Sequence, residues 1–157
     1  MNETTGIRRM KRTLLIHRIV QVLLCLLLIY MALHFQQLFA EKGLPHVFLN
    51  SLLATLLVQF LIFFPLRHFA GMEARRDVAA ATTPADSEQQ KHWRRQRLFS
   101  DTIKGAVFLG FTTFIMLAPP FTFILSTAFF SFIVTVITYL QCYNFAIRGE
   151  FTSPSRS

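Results

Sequence analysis

Residues 105–147 read GAVFLGFTTFIMLAPPFTFILSTAFFSFIVTVITYLQCYNFAI, and this stretch decides the fold. Its 43 residues carry no acidic or basic side chain. An α-helix crosses the hydrocarbon core of a bilayer in roughly 20 apolar residues, so the stretch is about twice the length of one span. Pro119-Pro120 stands near its middle. A proline lacks the backbone donor and collides with the preceding turn, so the tandem pair ends one helix and starts the next. Two spans are expected here, spans three and four, at about 101–118 and 121–147.

Two more uncharged stretches lie upstream, Ile19 to Ala40 and Gly43 to Leu66. Each holds one span, at about 14–39 and 45–66. The predicted fold is therefore all-α: a polytopic membrane protein of four transmembrane helices, one membrane domain over residues 1–157. The connection Ala40 to Pro45 is short, which makes spans one and two an antiparallel hairpin, and spans three and four form a second. With 53% hydrophobic residues, a soluble domain of this size would lack the polar surface to shelter four such segments. A cleaved signal peptide is not expected, because the run after Arg18 exceeds a usual signal core and no small-x-small site follows cleanly.

The net charge of +8 is a topology signal. Arg8, Arg9, Lys11, Arg12 and Arg18 precede or open span one. Arg67, Arg75, Arg76, Lys91, Arg94, Arg95, Arg97 and Lys104 lie between spans two and three, and Arg148 and Arg156 follow span four. Only Lys42 falls in a connection on the other side, a split of fifteen to one. Positive residues are retained on the cytoplasmic face, so both termini and the central connection are expected inside, in a bacterial inner membrane. The same cations would meet anionic lipids there, and no nucleic-acid partner is expected. Cys25 and Cys142 both fall within spans, where thiols behave as small apolar groups.

Residues 67–100 form the only sizeable polar region. Arg67 to Ala81 contains good helix formers, with Glu73 placed to meet Arg76 one turn on. Residues 82–86, TTPAD, read as a turn, and Ser87 followed by Gln90 resembles a capping box. Spans two and three are thus predicted to continue into the cytoplasm as a helical stalk of about 20–25 Å, from ~15 residues at 1.5 Å each. Trp93 and Phe99 among Arg94, Arg95 and Arg97 suit head-group depth.

Chemistry-bearing patterns are scarce. Apart from Arg18 at the edge of span one and Asp101 and Lys104 at the start of span three, the spans carry no charged side chain, whereas a proton-coupled pump needs an ionisable group within the membrane that loads and releases the proton. The sequence has no G-x-S-x-G, H-E-x-x-H, C-x-x-C or glycine-rich phosphate loop, so no enzymatic activity and no cofactor are expected. His17 and His68 lie near the inner face and His34 and His46 near the outer one, an arrangement that could hold two b-type haems across spans one and two. Their phasing opposes it: His17 and His34 are 17 positions apart, ~260° around the helix. Interfacial histidines are the simpler expectation. Gln21, Asn50 and Gln59 are polar groups within spans one and two, and Gln21 and Gln59 are expected to meet at similar depth. A small transporter using these amides is a further alternative.

Two stripes of small residues stand out. Thr127, Ser131, Thr135, Thr138 and Cys142 line one face of span four, and Ala106, Gly110 and Thr113 one face of span three. Small facing residues let helices approach closely, so these faces are expected to make the span three–four hairpin, or to dock another membrane subunit. Phe108, Phe111 and Phe114 on span three, with Phe121, Phe123, Phe129, Phe130 and Phe132 on span four, suit lipid or a partner helix equally.

Span three opens with Phe99, Ser100, Asp101 and Lys104, an aromatic, a small residue, an acid, two spacers and a lysine. With two hairpins joined by a basic segment, this six-residue pattern resembles the ATP synthase protein I family. That resemblance implies a role in assembling the rotor ring. The stalk is longer here, and span two lacks that family's glycine-rich start. Physically, Asp101 and Lys104 are one turn apart and should form an ion pair. The expected function is a non-catalytic accessory or assembly subunit of a larger inner-membrane complex, bound to another membrane protein or to itself.

Overall fold

The structure is a computed structural model that describes residues 3–82, 87–117 and 122–152. It is all-helical: α1 (Glu3–Glu41), α2 (Pro45–Thr82), α3 (Ser87–Leu117) and α4 (Thr122–Thr152). All four helices are long and apolar enough to cross a membrane, which points to a multi-pass membrane protein. Pro119, Pro120, Phe121 and most of the TTPAD segment, on which a helix break and a turn are expected, lie outside the described residues.

The α1–α2 turn follows from local chemistry. Gly43 has φ +69°, the left-handed conformation that a glycine adopts without a Cβ clash. Its N–H donates to the Ala40 carbonyl at 3.0 Å, and the Leu44 N–H donates to Phe39 at 2.9 Å. These two bonds close a Schellman cap on α1. Pro45 then supplies the first position of α2, where its missing N–H costs nothing. Pro65 lies within α2, which continues as one helix to Thr82.

The helices alternate in direction. Phe48 meets Phe130 near one end of the molecule, and Asp77 meets Tyr143 near the other, so α2 and α4 run the same way. Phe35 against Phe130 and His17 against Tyr143 place α1 opposite to them. The most extensive packing is α2 against α4, with α1 laid along both and α3 attached more sparsely. Phe35, Phe39 and Phe130 form the apolar core at one end, where Phe130 is only 1% exposed. Ala70, Ala74, Tyr143 and Ile147 form the core at the other end.

Two expectations are corrected here. The small face of α4 does not mate with α3: Ser131 and Thr135 are buried, but Ala106, Gly110 and Thr113 are exposed. Two hydroxyls of α4, Thr135 and Thr138, pair instead with an amide on α2, Gln59. Gln21 and Gln59 do not meet, because Gln21 donates to Gln141 of α4 at 3.3 Å. Past Leu66, α2 packs on α4: Ala70 and Ala74 are buried against it because alanine lets the two backbones approach.

Candidate functional site

On α2, Ser51, Thr55 and Gln59 recur every four residues and so share one face. Ser51 and Thr55 donate back to the Phe48 and Ser51 carbonyls, both at 2.8 Å, which satisfies their hydroxyls within the helix. Gln59 reaches across to α4: Nε2 donates to Thr138 Oγ1 at 2.9 Å and Oε1 accepts from Thr135 Oγ1 at 3.2 Å. A side-chain amide offers donor and acceptor together, so one residue fixes the register of two hydroxyls a turn apart.

Beyond this seam an ionic cluster joins three helices. Glu73 of α2 is 6% exposed and accepts hydrogen bonds from Lys104 of α3 at 2.5 Å, from the Tyr139 hydroxyl of α4, and from Arg76 at 3.4 Å. Asp77 accepts from the Tyr143 hydroxyl at 2.7 Å and lies 3.5 Å from Arg76. Lys104 also stands 3.7 Å from Asp101 and 5.3 Å above the Tyr139 ring. A buried carboxylate is tolerated only when donors replace its lost hydration, and Glu73 has three. Each strong donor is aimed at an acid within the cluster. That is the arrangement of a clamp holding α3 to α2 and α4.

The rest of α3 stands off. Its rings Phe108 and Phe111 touch Phe132 of α4, at 5.7 and 5.3 Å between centroids. Beside this contact an apolar cleft of about 570 Å³ opens between α3, α4 and Val58 of α2. Gly110, Phe111 and Phe114 line one wall and Thr127 and Ser131 the other. Ser131 is 3% exposed, and the Ser131 and Thr127 hydroxyl oxygens have no hydrogen-bond partner among the described residues. Thus the stripe on α4 divides: Thr127 and Ser131 face the cleft, and Thr135 and Thr138 serve Gln59. Of the α3 stripe, Gly110 alone lines the cleft.

The histidines are dispersed. His17 packs edge-on against Tyr143 at 5.1 Å, facing α4. His34 stacks on Tyr30 of its own helix at 6.4 Å, and His46 and His68 are exposed. Asn50 is exposed as well. The pair Glu73–Arg76 and the pair Asp101–Lys104 form as their spacing implies. The convergence of Glu73 with Lys104 and Tyr139 was not legible, because those residues are 31 and 66 positions away. One sequence signal was available: Ala70 and Ala74 flank Glu73 with small residues, which marks a packed helix face.

No family model matches the chain, and no curated protein or solved structure is significantly similar to it. The likeness to the ATP synthase protein I family thus rests on Phe99, Ser100, Asp101 and Lys104 alone, of which Ser100 is buried and Phe99 and Asp101 are exposed.

Proposed function

We propose that the chain is a non-catalytic accessory or assembly subunit of a larger inner-membrane complex, and that its α3–α4 cleft receives a transmembrane helix of a partner protein. The observation that carries this reading is the cleft wall on α4, where buried Ser131 and Thr127 one turn before it hold hydroxyls without partners among the described residues. In hydrocarbon such groups bond across to another helix, and Gly110 opposite leaves room for its backbone. The clamp at Lys104 and the Phe108 and Phe111 contacts with Phe132 hold α3 to α4, and the cleft beside them is left for the partner.

In this reading α1–α2 and α3–α4 are two antiparallel hairpins. The basic bias places both termini and residues 83–86 in the cytoplasm, with the ends of α2 and α3 forming the stalk and their cations on anionic lipid.

The test uses Gly110. A Cβ built there meets nothing within 4 Å, so Gly110→Leu should leave the chain's own fold intact while filling the cleft. The tagged full-length chain, extracted in mild detergent, is expected to carry a stoichiometric membrane subunit that Gly110→Leu expels. A wild-type chain that purifies alone, or a subunit retained equally by the variant, would refute the reading.

A further inference from the structure

We infer that a second, separate site binds a phosphate group between α1 and α4, and that its natural ligand is the head group of an anionic phospholipid. A pocket of about 180 Å³ is lined by Arg18 and Gln21 of α1 and by Gln141, Asn144, Phe145 and Arg148 of α4. Two arginines from different helices line one space, together with three amide residues. Arginine presents five N–H donors in a planar fork that matches phosphate oxygens.

The pocket is built, not incidental. The Gln21–Gln141 hydrogen bond at 3.3 Å ties its two helices together. One residue before Arg18, His17 packs on Tyr143, and Tyr143 is in turn held by Asp77. Both arginines are therefore carried on a braced part of the bundle. The volume equals several water molecules at ~30 Å³ each, enough for a phosphodiester and too little for an acyl chain. Phe145 lines the same pocket and is exposed, which places an apolar ring where a lipid's glycerol and chains would leave the site. This favours a lipid over soluble phosphate. Basic pockets between membrane helices are recognised homes for anionic head groups. The inference does not depend on the partner helix or on which way the chain is oriented.

The experiment is native mass spectrometry of the full chain released from detergent, titrated separately with phosphatidylglycerol, phosphatidylcholine and inorganic phosphate. The expected result is one tightly retained phosphatidylglycerol that phosphatidylcholine does not replace. Arg18→Gln and Arg148→Gln should each weaken it on the order of tenfold, while Arg94→Gln, on α3, should not. Arg18→Lys keeps the charge and should fall between wild type and Arg18→Gln, which separates recognition from folding. Retention of inorganic phosphate with the same arginine dependence, and no lipid, would keep the phosphate site and overturn the lipid assignment. Equal phosphatidylglycerol binding by wild type and both glutamine variants would overturn the site itself.

Discussion

Replacing Glu73 by glutamine should destabilise the chain by about 2 kcal/mol, and the size of that loss follows from its three partners. Removing one member of a fully buried ion pair costs about 3–5 kcal/mol. The Lys104 side chain, however, is 38% exposed, so its ammonium can be rehydrated and its share falls toward the ~0.2–1 kcal/mol of a surface pair. Arg76 keeps Asp77 as a second anion at 3.5 Å. The Tyr139 hydroxyl still finds an acceptor in the glutamine oxygen, losing about 1 kcal/mol as a charge-assisted bond becomes a neutral one. Glu73→Ala removes the acceptor as well and should cost about 1 kcal/mol more, because half-buried Tyr139 is then left with an unsatisfied hydroxyl. Reversible unfolding in mixed micelles, followed by circular dichroism, measures each variant. A double-mutant cycle with Lys104→Met should return a coupling of about 1 kcal/mol. If Glu73→Gln unfolds with wild-type stability and the cycle shows no coupling, the clamp is not what holds α3, and the reasoning fails.

Other expectations are simpler. Gly43→Ala should destabilise by about 1–2 kcal/mol in the same assay, since φ +69° places a new Cβ against the backbone in the α1 cap. Gln59→Leu should cost about 1 kcal/mol, the scale of interhelical polar contacts in membranes, and Thr135→Val combined with it should add little. Gly110→Ala in the isolated chain should be neutral or stabilising by up to ~1 kcal/mol, from better helix propensity at a position with open space around it. A marked loss of stability in that variant would show the cleft closed in the free chain.

The four helices were legible in the sequence because each signal is local. Charge-free runs of sufficient length, Gly43-Leu44-Pro45 between the first two, and the Asp101–Lys104 and Glu73–Arg76 spacings all act within a turn or a span. Hydropathy says that a helix is buried in lipid or protein, but it does not say against which neighbour. Leu15, Leu57 and Phe60 are as apolar as any core residue and are exposed, while Ser51 and Ser126 are fully buried. In a bilayer the apolar side chains gain little by leaving lipid for protein, so polarity loses its value as a guide to the core.

Pairing therefore fell to the tertiary structure. The stripe Thr127, Ser131, Thr135, Thr138 was visible by its spacing, yet its partner was not α3, as its adjacency in sequence suggested. Gln59 drew Thr135 and Thr138 to α2, the alanines at 70 and 74 let those helices close, and α3 was left tethered through Lys104. The sequence alone determined how many apolar helices there are and where the turn between the first two falls, because those depend on local hydrogen bonding and on transfer of apolar surface out of water. The tertiary structure decided which faces meet, because that depends on a few side-chain hydrogen bonds and close backbone approaches between residues far apart along the chain.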